Sequence, residues 1–153
     1  MRWLLGMFLG LLALNGVALF IMGRIATSDV PRDVRVAERF LNEVMRGNDP
    51  SSENEEVVGY AAAHDLLTSR AKESMDFGTF VARFEDKVPH WGFVDGYRRE
   101  SREEGDFTRR ILHFRLRFTG TQGTPIEIPC RITLVREGDG YRIDAFSMEG
   151  EPR

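Results

Sequence analysis

The chain has 153 residues, 42% hydrophobic and 29% charged, and its 21 basic and 24 acidic side chains leave a formal net charge of -3. That length suits one domain of ordinary size, and the composition excludes a wholly disordered chain. The near balance of charge argues against a general nucleic-acid binder, and a single cysteine excludes an internal disulfide or a cysteine-rich metal site.

The charge is unevenly placed. Residues 3–23 contain no charged side chain, whereas everything after them is charge-rich. As a helix, residues 3–22 span about 30 Å, enough to cross the hydrocarbon core of a bilayer. Asn15 is the one strongly polar member, and Arg2 and Arg24 bracket the run. An uncleaved membrane anchor is therefore expected over residues 1–24, followed by a linker over 25–30. The competing reading is a cleaved export signal, whose apolar region would be shorter, with Ala26-Thr27-Ser28 as the small-residue stretch. Gly6, Gly10 and Ala13 form a stripe that lets a second helix approach closely, although glycine is common in membrane helices generally. Arg24, Arg32, Arg35 and Arg39 favour a cytoplasmic domain by the positive-charge rule. The very short leading tail with Arg2 favours the extracytoplasmic side, periplasmic or extracellular, which is the expected orientation.

Ser28, Asp29 and Pro31 open a first helix. Its apolar stripe is Val34, Ala37, Leu41 and Val44, its polar face Arg35, Arg39, Asn42 and Arg46, and Gly47 its stop. A polar loop over residues 48–54 leads into Ser52-Glu53-Asn54-Glu55, a capping-box pattern. The second helix is expected to run to about Leu67, with Val57, Tyr60, Ala61, His64 and Leu67 on one face. Residues 68–73 read as a break. Ser74 is expected to cap a third helix with the stripe Phe77, Phe80, Val81, Phe84 and Val88, ended by Pro89.

Beyond His90 the period changes to two. A strand is expected over residues 91–100. Leu112, Phe114, Leu116 and Phe118 then alternate with polar residues, as do Ile126, Ile128, Cys130, Ile132 and Leu134, and Tyr141, Ile143 and Ala145. Breaks at Glu104-Gly105-Asp106, residues 120–123 and Gly138-Asp139-Gly140 read as hairpin turns. Pro125 and Pro129 place the third strand at an edge or at a bulge. The expected fold is α+β: three helices packed on a curved, four-stranded antiparallel sheet over residues 31–149, with a tail at 150–153.

Three stretches carry a family likeness: Ala37-Glu38-Arg39-Phe40-Leu41 followed by Tyr60-Ala61-Ala62-Ala63-His64-Asp65-Leu66-Leu67; Ser74-Met75-Asp76-Phe77-Gly78-Thr79-Phe80; and Gly138-Asp139-Gly140-Tyr141-Arg142-Ile143-Asp144-Ala145-Phe146. With them the chain resembles the NTF2-like (cystatin-like) superfamily over about residues 30–149, in the manner of small bacterial members with an N-terminal membrane segment. The resemblance implies a cone-shaped α+β scaffold, one that hosts enzymes, transport adaptors and assembly factors alike.

Enzymes of that superfamily place acid, base or hydrogen-bonding groups inside the cone. Here Asp95, Tyr97 and His64 are the candidates. Asp95 lies between Phe93 and Tyr97 at strand spacing, and an inward, dry carboxylate would act as a base. Gly96 invites a bulge that would reverse the facing of one of the pair, and the expectation is that the trio is not catalytic. Arg109, His113, Arg115 and Arg117 share the outward face of the second strand. They offer an anion or partner surface, or else pair with Glu100 and Glu127. Cys130 falls on the apolar face as a small core residue. No metal site, cofactor or phosphate loop is expected. The expected role is a non-catalytic interaction or assembly module, held in the bilayer by residues 3–22 beside another membrane protein. A small isomerase or dehydratase, or a carrier of a small hydrophobic ligand in the cone, are the alternatives.

Overall fold

The computed structural model describes residues 31–51, 56–120 and 124–149. The expected anchor with Gly6, Gly10 and Ala13, the expected linker, the capping sequence at 52–55, most of the turn at 120–123 and the tail at 150–153 lie outside the described residues. Among the described residues no helix is long and apolar enough to cross a membrane.

Helix α1, Arg32–Gly47, forms where the apolar residues recur at helical spacing. It buries Val34, Ala37, Phe40, Leu41 and Val44, while Arg35, Arg39, Asn42 and Arg46 are exposed. Asp33 in its first turn is also buried. It meets Arg110 at 3.2 Å, so a carboxylate at the helix start is matched by a cation from the sheet. Helix α2, Glu56–Asp65, follows. Tyr60 and Ala63 are its fully buried positions, whereas Val57 is 64% exposed. The expected face is thus rotated, because Gly59 rather than Val57 meets α1. A Cβ on Gly59 would stand 2.4 Å from the Gly47 nitrogen and 2.8 Å from the Glu43 carbonyl oxygen. Gly47 is therefore both the end of α1 and one half of a backbone-to-backbone crossing.

The expected break at 68–73 is instead a short helix, α3, Ser69–Ser74, with the Thr68 hydroxyl accepting the Ala71 N–H. Asp76, not Ser74, caps the next helix, α4, Phe77–Glu85, by accepting the Thr79 N–H at 2.7 Å. Pro89 does not end that helix. It sits in the first turn of a further short one, α5, Val88–Trp91, where a missing N–H costs nothing. Among the described residues, five helices, two of them very short, thus replace the three expected between residues 31 and 91.

The sheet is four-stranded and antiparallel in the order β1-β2-β3-β4. Its strands are β1, Phe93–Gly105; β2, Arg109–Thr119; β3, Pro125–Glu137; and β4, Gly140–Met148. β1 runs five residues past its expected end, through two irregularities, at Val94/Gly96 and Arg99/Glu103. β3 is an interior strand, contrary to the edge reading of its prolines. Pro129 is tolerated because β4 pairing begins only at Cys130, and the Pro129 carbonyl is met by the Glu149 N–H. A strand residue aims its nitrogen and its carbonyl to the same side, so the Pro129 nitrogen faces Glu149, one residue past the end of β4, and takes no bond from the β2–β3 ladder. Gly138 takes a φ of 62° in the two-residue turn between β3 and β4.

The outer edge of β4 is covered by the segment joining α2 to α3. Leu67 bridges Ile143 in the parallel sense; the Ile143 N–H donates to the Leu66 carbonyl and the Thr68 N–H to the Ile143 carbonyl. Between the layers lies an aromatic core. Phe40, Tyr60, Phe80, Phe84, Phe114, Phe118 and Phe146 are all 5% exposed or less. Cys130, the chain's single cysteine, is buried there as a small core side chain. One polar knot sits at its rim. Asn48 donates to the Tyr60 hydroxyl at 2.9 Å and accepts the Val94 N–H at 2.7 Å, and Tyr60 donates to Glu85 at 2.6 Å. These bonds tie the end of α1 to α2, α4 and the start of β1, and they leave no buried partner without its bond.

Candidate functional site

The structure does not bring Asp95, Tyr97 and His64 together. The irregularity between Val94 and Gly96 gives β1 an extra residue opposite β2, and that residue is Asp95. Val94 points inward at 5% exposure and Asp95 is turned to the outer face. There it accepts from Arg117 Nε at 2.7 Å and from the Thr119 hydroxyl at 2.6 Å. Tyr97 lies on the inner side, edge-on to Phe114 with ring centroids 5.9 Å apart. Burial first, and the charge of Glu38 second, push its phenol above the ordinary value, while a bond from Asn42 opposes them. His64 stands on α2 with Nε2 3.1 Å from the Met75 carbonyl, an atom that can only accept, so the proton is on Nε2. Its ring is held edge-on between Phe77 and Phe80.

Asp95 is thus tuned in the opposite sense to a base. Partial burial works to raise its carboxyl, but the Thr119 hydroxyl, the Arg117 bond and the Arg117 charge outweigh it and hold the group below the usual range. A depressed carboxylate stabilises the fold above its unfolded pKa, near 3.9, and that contribution disappears as pH falls through the lower folded value. Asp95→Asn should therefore cost less than about 1 kcal/mol at neutral pH, since the pair is largely open to solvent and screened. The gap to the parent chain should close when the melts are repeated at descending pH below about 4. A gap that widens in acid would mean the carboxyl is raised, as a base requires.

On the outer face of the sheet, Arg115 Nε donates to Glu100 at 2.8 Å, His113 Nε2 lies 3.3 Å from Glu104, and Arg98 reaches across β2 to Glu127 at 3.4 Å. Arg109 and Arg117 are exposed on the same face. His113, Arg115 and Arg117 are thus each matched by an acid from β1, and Glu127 is taken by Arg98 rather than by a β2 arginine. The face is a lattice of opposite charges rather than a bare cationic patch.

A second feature was not foreseen. A groove of about 560 Å³ opens between α3, α4 and β4, lined among others by Leu67, Ala71, Met75, Arg83, Lys87, Asp144 and Phe146. A register shift in β4 between Ile143 and Ala145 sets Asp144 apart, and its carboxylate takes Arg70 and the Thr68 hydroxyl. Arg83 in the last turn of α4 and Lys87 two residues beyond its end, four apart in sequence, were the available sign of it. Among the described residues, no group of histidine, cysteine and acidic side chains is placed to hold a metal ion.

No protein-family model matches the chain, and no curated protein sequence does. Similar solved structures include an NTF2-like designed protein, with a TM-score of 0.49 at 10% identity over 74% of this chain and 93% of that one. VirB8 of Agrobacterium tumefaciens has a TM-score of 0.47 at 8% identity, over 81% of this chain and 98% of its own. A SEC-C motif containing protein from Rhodopseudomonas palustris has 0.46 at 10% identity, over 79% and 94%. Each is a partial likeness of chain path and brings no functional residue with it.

Proposed function

We propose that this chain is a non-catalytic interaction module of the NTF2-like kind, tethered to a membrane by residues 3–22, and that it serves as an accessory or assembly subunit of a membrane complex from the extracytoplasmic side. The observation that carries the reading is the filled interior. Seven aromatic side chains occupy the space between helices and sheet, so recognition falls to the outside. The separation of Asp95, Tyr97 and His64 weighs the same way, since proton transfer needs its groups within reach of one bound substrate. The outer sheet face suits a partner with alternating charges, because its side chains are already held in place and ordering them costs little on binding.

The test is purification of the full chain from its own membranes in mild detergent, beside an Arg115→Glu/Arg117→Glu variant and His64→Ala. The same membrane protein should accompany the parent and His64→Ala and be lost from the arginine variant while that variant stays folded. A phosphatase fused to the C-terminus should be active, as the extracytoplasmic orientation requires. If His64→Ala and Tyr97→Phe abolish the biological role as folded proteins while the arginine variant keeps it, an enzyme reading replaces this one.

A further inference from the structure

We propose that the end of the sheet carrying the β1–β2 and β3–β4 turns docks on the phospholipid surface of the chain's own membrane, with Phe107 entering the boundary between headgroups and acyl chains. The proposal rests on the tether proposed above and concerns a surface separate from the outer sheet face.

The path of α1 selects this end. Asp33, in its first turn, meets Arg110, which pairs with Gly105 beside the β1–β2 turn. Asn48, just past its last turn, accepts the Val94 N–H at 2.7 Å, and Val94 pairs with Phe118 near the far end of β2. Helix α1 therefore runs the length of β2. The chain enters the domain at the end where Arg109 pairs with Val135 and both hairpin turns lie. The nine residues 23–31 reach no farther than about 30 Å even when fully extended. A chain held in the bilayer by residues 3–22 thus keeps the entry to α1 within that distance of it.

This end presents an aromatic ring on a rigid mount. Phe107 is 66% exposed. Its turn is held by the Asp106 carboxylate, which accepts the Thr108 N–H and hydroxyl, each at 2.7 Å, and the Arg109 N–H at 3.1 Å. The neighbouring hairpin braces it. Tyr141 donates its hydroxyl to the Phe107 carbonyl at 2.8 Å, and the Arg136 N–H donates to the Thr108 carbonyl at 3.0 Å. The Arg136 guanidinium lies 4.5 Å from the Phe107 centroid. A ring so fixed loses little freedom on docking. A phenyl with an arginine beside it has the makeup of an interfacial anchor: the ring enters, and the long basic side chain keeps its charge among the headgroups.

Charge alone would not hold the end there. Arg32, Arg109 and Arg136 are exposed at it, but so is Asp139. The other acids are engaged: Asp106 within its own turn, Asp33 and Glu103 with Arg110, and Glu137 with the Ser69 hydroxyl. With the signs near balance the contact is carried by the ring, so it needs no anionic lipid. One phenyl is a weak anchor for a free protein. The tether makes docking an intramolecular step, for which a small gain suffices.

The experiment uses the full chain, isotope-labelled, in phosphatidylcholine nanodiscs whose lipids carry a nitroxide near the top of the acyl chain. A chain that stays out of the discs overturns the tether and this proposal with it. In a chain that enters them, the amide signals of Phe107, Thr108 and Gly138 should broaden most and those of Gly92 and Thr119, at the far end, least. Phe107→Ser should lower the docked-to-undocked ratio by about tenfold, the worth of taking a phenyl out of an apolar boundary. Phe107→Trp should keep docking, since Trp suits the interface, and unchanged far-end signals check that both variants are folded. A photoreactive phenylalanine at position 107 should join to lipid in the cell's own membranes. Equal broadening at both ends of the sheet overturns docking and leaves the tether standing. Broadening that needs phosphatidylglycerol and ignores Phe107→Ser also overturns it, as does joining to a protein, which would give the turn to a partner.

Discussion

Phe80→Ala is expected to lower the free energy of unfolding by about 3–5 kcal/mol, the usual cost of emptying a phenyl-sized site in a packed core. Phe80 is fully buried. Its ring lies 6.1 Å from Phe40, 6.2 Å from Tyr60, and 5.5 Å from both His64 and Phe84, with Phe146 at 5.8 Å. One side chain from α4 therefore joins α1, α2 and β4, and three of its neighbours come from other helices, so the void cannot close by moving one element. For a domain of ordinary stability, about 5–15 kcal/mol, the loss is roughly a fifth or more of the total. Urea unfolding of the two full chains measures it. Phe107→Ala, at a residue 66% exposed, should change stability by no more than about 0.5 kcal/mol. A loss below about 1 kcal/mol for Phe80→Ala would mean that the layers do not pack around this ring.

Gly59→Ala should destabilise the domain by about 1–3 kcal/mol, although alanine is the better helix former by about 1 kcal/mol. The added methyl meets backbone atoms of α1 on every near side, the Gly47 nitrogen, the Gly47 α-carbon and the Glu43 oxygen. None of these can swing aside as a side chain would, so the two helices must part. Gly78→Ala is the opposite case. Its Cβ would find only an Asp76 carboxylate oxygen, at 3.7 Å, and helix propensity should decide the sign, with a gain of up to about 1 kcal/mol. Thermal melts of the two variants should move in opposite directions. Equal shifts would show that the crossing of α1 and α2 is looser than the Gly47–Gly59 approach implies.

Helix α1 and strands β2, β3 and β4 were legible because burial there follows a simple period. Leu112, Phe114, Leu116 and Phe118 all turn inward, Ile132 and Cys130 do so opposite Leu112 and Phe114, and Leu134 continues the same face. The misreadings fall where one local feature has two physical uses. Ser74 and Asp76 are both competent caps, and only the position of the Thr79 N–H selects Asp76. Pro89 looks like a terminator but fits the first turn of α5 as well. Pro129 looked like an edge residue, and the sign was sound in kind, since it lies just beyond the reach of β4; sequence alone does not give the relative lengths of two strands. Gly47 and Gly59 are twelve residues apart in sequence, and their meeting shows only once α1 and α2 pair.

The candidate site was less legible than the fold. Gly96 marked the doubtful spot in β1, yet the extra residue proved to be Asp95 itself, which sent the carboxylate outward to Arg117. The groove was not foreseen because its parts come from residues 67–87 and 144–146, and no periodicity links stretches so far apart. Arg83 and Lys87 read along the chain are two solvated charges; Phe146 and Trp91 give them fixed positions.

The strap of Leu66–Thr68 across Ile143 bears on the order in which the chain can assemble. Synthesis releases α1 to α4 long before β4, and α1 also packs on β4. The helices therefore emerge with their apolar faces uncovered and must wait for the last strand. The hairpins of the sheet close through neighbouring segments, whereas the strap spans some 76 residues from Leu67 to Ile143. Contacts of long sequence separation form late and slow the whole process. Closing the strap sets a late checkpoint: a chain cut short before Ile143 keeps every helix-forming sequence and still lacks the strand that Leu67 must meet.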